Sequence, residues 1–424
     1  MNRPYRLAAA LFQLAPLPAG KLALSRAGRL GAVHRWNEWA KRHRSGEPLV
    51  WLHAASVGES QVTEPIALRL RARLPNMQFI QTYSSPSAAN WPLPTHIEHA
   101  DYLPPERPRE VDRLFETLRP AAMMVSRGDL WPEVMRGAFE SQVPVAVVGA
   151  TVRPTSRRLR WPVRGALEPM HRRLAFVGAV SSEDAARWVR MGASPDVVCT
   201  TGDPRDEHIL ERTPRYAKLL PLIPWTQAGQ TLVAGSTHLP DELALMEALH
   251  QLRDMHPNAR LIVVPHDAGA ESATRIISSA QSRGLAAAAW TTGAPSPEVR
   301  VLAVDRPGVL SDLYALGSAA YVGGGFGKSG VHSLAEPAAY ALPTLTGPCA
   351  RADHFAERFL RSGGAVAVAR EDPARSLAKQ WDAWLRDSAG RTAAGIAARR
   401  QLHEGSAART AEAVAAILEQ TVGR

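Results

Sequence analysis

Tyr321-Val-Gly-Gly-Gly-Phe-Gly-Lys-Ser-Gly-Val-His-Ser-Leu-Ala-Glu-Pro-Ala-Ala-Tyr-Ala-Leu-Pro-Thr-Leu-Thr-Gly-Pro348 reads as an apolar strand, a glycine loop, a helix and the start of another strand. That order suits a nucleotide pocket. Gly323, Gly324, Gly325 and Gly327 let the backbone approach a ligand closely. A helix opening on His332 would offer unpaired N–H groups and a positive dipole end to a phosphate. The four-residue spacing of His332 and Glu336 predicts that both lie on one helical face, one meeting phosphate and the other a ribose hydroxyl. A purely structural strand-turn-helix would tolerate the same glycines.

Outward from this stretch, short apolar runs alternate with helical patterns in both halves of the chain, the signature of βαβ units and parallel sheets. Strands are predicted at residues 49–54, 78–82, 121–125, 143–148 and 176–179, then at 231–234, 260–264, 299–304, 319–322 and 344–345. Residues 214–230 sustain no helical period, which places the domain boundary there. The expected fold class is α/β, with two Rossmann-like domains over residues 25–213 and 214–424 facing a cleft at the carboxyl ends of their strands. The Ala/Arg-rich end, 393–418, reads as closing helices of the second domain.

With 424 residues, 45% of them hydrophobic, the chain can build two cores. A formal net charge of +10 suits an anionic substrate, an anionic membrane surface or nucleic acid. No nucleic-acid module accompanies the charge, so nucleic acid ranks last among the partners. Cys199 and Cys349 are too few for a disulfide framework or a Cys-type zinc site, and a reducing cytosol is the expected compartment. The fourteen histidines follow no His-x-x-x-His or Glu-x-x-His spacing, so no metal motif is read. Residues 1–24 carry an apolar stretch cut by Pro16 and Pro18. It is too short to span a bilayer and fits a helix lying in the membrane interface, with a cleaved signal peptide as the alternative.

Four strand-end loops carry the candidate chemistry. Trp51-Leu-His-Ala-Ala-Ser-Val-Gly-Glu-Ser60 places His53 at a strand tip, with Ser56 and Gly58 as donors to an anionic group. Ser56 capping the helix and Glu59 complementing its dipole is the structural alternative. Ser126-Arg-Gly-Asp-Leu-Trp-Pro132 supplies Asp129 and Trp131 after another strand. In the second half, Gly235-Ser-Thr-His238 leads from a strand into an acidic helix start, and Val264-Pro-His-Asp267 ends another. Between 151 and 173, seven arginines, including Arg153, Arg157 and Arg158, surround Trp161. This run reads either as a solvated basic helix or as a surface that grips phosphates.

These motifs, in this order, resemble the 3-deoxy-D-manno-octulosonic acid (Kdo) transferase family over nearly the whole chain. The family's His-x-x-Ser-Val-Gly-Glu loop matches His53 to Glu59, its acidic-Leu-Trp-Pro motif Asp129 to Pro132, and its Arg-x-x-x-Arg segment Arg153 and Arg157. Glu183-Asp184 through Met191-Gly192-Ala193 to Thr201-Gly202 also follows the pattern, as do Gly235 to His238 and the motif from Gly324 to Pro337.

The resemblance implies an inverting GT-B glycosyltransferase with CMP-Kdo as donor, a lipid A precursor as acceptor, and neither cofactor nor metal. It would work at the cytoplasmic face of the bacterial inner membrane, against an anionic membrane surface. The acceptor side would comprise His53, Ser56, Gly58, Glu59, Asp129, Arg153, Arg157 and Arg158. The donor side would comprise Ser236, Thr237, Pro265, His266, Gly324, Gly325, Gly330, His332, Ser333 and Glu336. Arg35-Trp36-Asn37-Glu38 matches the stretch that holds the family's catalytic glutamate, which makes Glu38 the expected general base.

Several positions depart from the family pattern. Arg127 stands where an acidic residue is usual, and Ser333 replaces an asparagine. Pro265-His266-Asp267 replaces a Pro-Arg-His loop expected to hold the CMP phosphate. A different activated acidic sugar or acceptor, or a non-catalytic homologue that binds envelope lipid, are the alternative readings.

Overall fold

The computed structural model describes residues 20–44, 46–212, 214–290, 294–327 and 330–422. The apolar stretch up to residue 19 lies outside the described residues. Among those described, no helix is long and apolar enough to cross a membrane.

The chain forms two compact units, one of residues 1–208 and 403–424 and the other of 209–402. The first holds β1 (Leu49–His53), β2 (Gln78–Tyr83), β3 (His99–Tyr102), β4 (Ala122–Ser126), β5 (Val145–Ala150), β6 (Phe176–Ala179) and β7 (Val198–Thr200). They form one sheet in the order β3-β2-β1-β4-β5-β6-β7, every pairing parallel. The second unit holds β8 (Gln230–Thr237), β9 (Ala259–Pro265), β10 (Ala287–Ala289), β11 (Val301–Ala303), β12 (Ala319–Val322), β13 (Thr344–Thr346) and β14 (Ala365–Ala367). Its sheet, also parallel, runs β10-β11-β9-β8-β12-β13-β14.

Parallel sheets need helices on both faces, so their central strands are apolar on both sides. β1 follows that rule: Leu49 and Trp51 enter the core on one face while Val50 and Leu52 enter the core on the other. In the second unit Leu232 and Ala234 of β8 face one core and Val233 the opposite one. The ten predicted strands are all present. The four unpredicted ones, β3, β7, β10 and β14, are the outermost or short strands, where little apolar sequence is needed.

The domain boundaries differ from those expected. The second unit already starts at residue 209, and residues 214–230 are part of it: short helices at Tyr216–Leu219, Leu220–Leu222 and Ile223–Gln227 pack Leu219, Leu222 and Trp225 into its core. The last helix, Ser406–Val422, belongs to the first unit. Its Ala407, Ala411, Val414, Ala415 and Leu418 fill the core under β1 and β4. At its start, Ser406 Oγ donates to the Asp203 carbonyl at 2.8 Å and the Ala407 N–H to Glu207 at 2.6 Å, partnering groups that a helix end leaves open.

Two outcomes follow for the first unit. Leu418 is fully buried, so Leu418→Ala should lower stability by about 2–5 kcal/mol in urea unfolding followed by probes of this unit. His171 is buried beside Trp188, with Nδ1 2.9 Å from the Met191 carbonyl. Burial, above all, pushes its pKa below the ordinary value. The unfolded chain therefore takes up a proton near pH ~6.5 that the folded unit resists. The neutral ring's stability contribution should be intact above that pH and be lost as pH falls through the lowered folded value. Urea midpoints measured across this range should fall less steeply in His171→Phe.

Candidate functional site

In open parallel sheets, ligands bind beyond the carboxyl ends of the strands where the strand order reverses. In the first unit the reversal lies between β1 and β4, and in the second between β8 and β12. His53 ends β1, and the loops after β4, β8 and β12 carry Asp129, His238 and the glycine stretch from Gly323. Each unit therefore places its candidate residues at its own switch point.

In the first unit, buried His53 closes β1. Its Nδ1 lies 2.9 Å from Thr82 Oγ1, and its Nε2 lies 3.2 Å from Asp129 Oδ2. Thr82 Oγ1 also accepts from the Trp51 indole at 2.8 Å, and Asp129 Oδ2 from the Trp131 indole at 3.0 Å. One proton arrangement satisfies the chain: the Thr82 hydroxyl donates to Nδ1, and Nε2–H donates to Asp129. Burial would raise the Asp129 pKa, but the hydrogen bonds from His53 and Trp131 and the nearby charge of Arg158 outweigh it and hold it below the ordinary value. The result is an oriented carboxylate suited to accepting a ligand hydroxyl.

The loop carrying Asp129 turns through left-handed backbone at Arg127 (φ 57°) and Gly128 (φ 97°). A side chain at Gly128 would start 2.6 Å from the Trp188 ring, so this turn requires glycine. Arg158 Nη1 donates to the Gly128 carbonyl at 3.1 Å, which keeps that guanidinium beside Asp129. Arg127, the residue standing in an expected acidic position, places Nη2 against both carboxylate oxygens of buried Asp203, at 3.0 and 2.8 Å. Arg153 and Arg157 are exposed. The basic run forms no continuous helix: a 3-10 turn at Arg157–Leu159 precedes a helix at Val163–His171, with Trp161 81% exposed between them.

Ser56 precedes the helix Val57–Arg73 but makes no side-chain capping bond. Glu59 reaches back instead, accepting the Ala55 N–H at 2.8 Å, and burial raises its pKa. The space around Gly58 is open. Ser56 and Gly58 thus border a helix start left accessible to a ligand.

Glu38 lies apart from this constellation. It sits on the helix Ala32–His43 and pairs with Lys41 at 2.9 Å and Arg42 at 3.6 Å. The Lys41 hydrogen bond and charge lower its pKa. Its ion-pair partners both lie on its own helix, one turn further along. The flanking residues are structural: Arg35 pairs with Asp101 at 2.6 Å, and the Trp36 indole donates to the Tyr102 carbonyl at 3.1 Å.

In the second unit, the end of β8 contains a bulge. The register with β9 shifts between Gly235 and Thr237, and the extra residue, Ser236, is left-handed at φ 53°. The bulge carbonyl of Ser236 would lie 2.3 Å from any Cβ at position 323, so Gly323 is required for β12 to end beside β8. Asp241 then joins the loops: its carboxylate accepts the His238 N–H at 2.8 Å, the Gly324 N–H at 3.2 Å and the Tyr321 hydroxyl at 2.5 Å. His266 N–H donates to the Thr237 carbonyl at 2.9 Å, and His332 N–H to the Gly323 carbonyl at 3.2 Å.

These bonds gather three imidazoles. Ring nitrogens of His238, His266 and His332 all lie within 4.8 Å of one another. Burial, then the neighbouring His266 and His238, lower the His332 pKa. The Ser333 hydroxyl is buried and has no partner among the described residues, a group that a ligand could satisfy. Gly325 packs on Gly347, and Gly330 turns at φ 86° near Asp353. Pro265 ends β9, and Glu336 lies one residue inside the helix Ala335–Ala339.

Three expectations need correction here. His332 is not helical, because its bond to the Gly323 carbonyl holds it against the strand end; it shares no helical face with Glu336. Since that helix has only five residues, it is a poor phosphate dipole. Thr237 is buried, with its hydroxyl donated to Glu242, itself paired with Arg275 at 3.1 Å, so it braces the loop. The absence of a metal motif in the linear sequence missed a histidine cluster assembled from three separate loops. Asp241 and Thr82, which hold the candidate site loops in place, are residues that sequence reasoning passed over. For Thr82, the signal was its parallel pairing with His53.

Residues 27–207, nearly all of the first unit's leading segment, match the family model for 3-deoxy-D-manno-octulosonic-acid transferase (kdotransferase). The chain is 28% identical over 410 residues to the 3-deoxy-D-manno-octulosonic acid transferase of Bordetella pertussis, covering 92% of this chain and 91% of that protein. It is 26% identical to the protein of that name from Aquifex aeolicus, covering 74% and 80% respectively. Among solved structures, UDP-GlcNAc 2-epimerase from Neisseria meningitidis bound to UDP-GlcNAc aligns with a TM-score of 0.61 at 12% identity, over 87% of this chain and 100% of that one. That last likeness is one of fold, two Rossmann-like domains.

The hydrogen-bonded line from Trp51 to Asp129 makes Thr82 a sensitive position. Thr82→Val leaves the buried Trp51 indole without an acceptor and His53 Nδ1 without a donor, which should cost about 1–3 kcal/mol in urea unfolding. Thr82→Ser should recover most of that loss.

Proposed function

We propose that this chain, a divergent member of the Kdo transferase family, is a glycosyltransferase of lipopolysaccharide synthesis that moves Kdo from CMP-Kdo to a lipid A precursor. The observation that carries the reading is the similarity to the Bordetella pertussis enzyme, which runs through both units and is not confined to one.

On this reading the second unit holds the donor. The loops after β8, β9 and β12 receive CMP, with the unpartnered Ser333 hydroxyl and the backbone around Gly324 and Gly325 near its polar groups, and Glu336 toward the ribose. The first unit holds the acceptor, with Asp129 accepting from a sugar hydroxyl and Arg153, Arg157 and Arg158 orienting an acceptor phosphate. An acceptor hydroxyl oxygen attacks the anomeric carbon as its bond to the CMP phosphate breaks. The configuration inverts, the hydroxyl proton passes to the base, and CMP leaves with the bonding electrons.

Glu38 is the proposed base. Lys41 and Arg42 hold it charged and weaken it as a base, so substrate must draw it from these partners. Exposed Trp161 and the arginines around it suit an acidic lipid surface, consistent with work at the cytoplasmic face of the inner membrane.

A second reading keeps the fold and changes the sugar or acceptor. Its motive is specific: Arg127 is committed to Asp203, and the loop after β9 offers His266 and Asp267 in place of a guanidinium.

The test is transfer from CMP-Kdo, generated in situ, to a tetraacylated lipid A precursor. Wild type should form product, and Glu38→Gln should slow transfer by roughly 10²–10⁴-fold with the acceptor KM little changed. A fully active Glu38→Gln removes Glu38 from the role. No product from a wild type that binds CMP saturably favours the second reading.

A further inference from the structure

The loops after β8, β9 and β12 each deliver one imidazole to the same point, and we propose that His238, His266 and His332 form a binding site for a single zinc-type divalent cation. The inference stands on the geometry of these three side chains and does not depend on the transferase reading. It also departs from the metal-free chemistry that the family resemblance implies.

Three histidines are the protein share of a four-coordinate zinc site whose last position stays open to water or a ligand oxygen. Zinc–nitrogen bonds of about 2.0–2.1 Å in tetrahedral geometry put ligand nitrogens about 3.3 Å apart. Here the nitrogens already lie within 4.8 Å of one another. Ring centroids are 5.0 Å apart for His238 and His266, 4.8 Å for His266 and His332, and 5.8 Å for His238 and His332. His266, the exposed member, has room to rotate its side chain toward the other two.

The backbones that carry the rings are fixed independently of any ion. Asp241 binds the His238 and Gly324 amides, the Thr237 carbonyl accepts from His266, and the Gly323 carbonyl accepts from His332. Preorganisation of this kind lowers the cost of assembling ligands around a cation. Nitrogen donors favour zinc and its first-row neighbours over magnesium or calcium, which take oxygen. The residue after His266 is the exposed carboxylate of Asp267, whose charge favours a cation over an anion in this loop.

The full-length chain, stripped with a chelator, is titrated with zinc chloride by calorimetry at neutral pH and separately with cobalt(II) by visible absorption. Wild type should bind about one equivalent, and its cobalt form should display the intense visible bands of tetrahedral coordination. His266→Asn, at an exposed position, and His332→Asn should each weaken binding by more than about tenfold and abolish those bands. His250→Asn, outside the cluster, should leave both readouts unchanged. Circular dichroism confirms folding of each variant. A wild type that takes up no zinc, or tetrahedral bands that persist in folded His266→Asn, overturns the assignment. If zinc is refused but inorganic phosphate binds and is lost in His266→Asn, the cluster is an anion site and the proposal fails.

Discussion

The carboxylate of Asp241 holds the second unit's site together. Its two oxygens accept from the His238 amide, the Gly324 amide and the Tyr321 hydroxyl, groups on the loop after β8 and on β12 with its following loop. These strands are neighbours at the point where the sheet order reverses, so their loops diverge and leave a crevice. A buried carboxylate is costly unless its oxygens are hydrogen-bonded, and here the amides that satisfy it are those a ligand pocket needs aligned. The bulge at Ser236 and the missing side chain at Gly323 permit the close approach that makes these bonds. The loops after β8 and β12 and the histidine cluster both depend on that arrangement.

The first unit solves a similar problem with uncharged groups. Trp51, Thr82 and His53 relay one orientation from the sheet interior to Asp129, at the reversal between β1 and β4. Each member is held by its neighbour, and only the final carboxylate opens toward solvent, with its side chain 38% exposed. Asp129 is therefore positioned by the core beneath it. Glu38 has no comparable support: its partners are the flexible side chains of Lys41 and Arg42 on its own helix. A residue held only by surface ion pairs can change partners at little cost, because such pairs contribute little.

Fold class and loop positions were legible because they rest on local signals. Apolar runs such as 49–53 and 319–322 are long enough to need burial on both faces, and glycine with hydroxyl clusters mark where they end. What escaped depended on contacts between distant residues. The helix Ser406–Val422 is an alanine-rich amphipath with nothing in its own sequence to say which unit it covers; the Asp203 carbonyl and Glu207 carboxylate decide that. His332 carries a helix-like spacing to Glu336, but the hydrogen bond to the Gly323 carbonyl overrides it. The histidine cluster is invisible to any spacing rule, since its members meet only after three strands align. Thr237 reads as a ligand-binding hydroxyl until Glu242 is seen to accept from it.

The central claim is that the loops tied by Asp241 receive the nucleotide of an activated sugar. Imidazole carbon and proton shifts of the histidine-labelled chain, followed during titration with CMP, test it most directly. The account predicts saturable shifts in His238 and His332, with His250 and His256 unmoved and Asp241→Asn weakening the response. Saturable CMP binding that leaves His238 and His332 unperturbed would place the nucleotide elsewhere and contradict it.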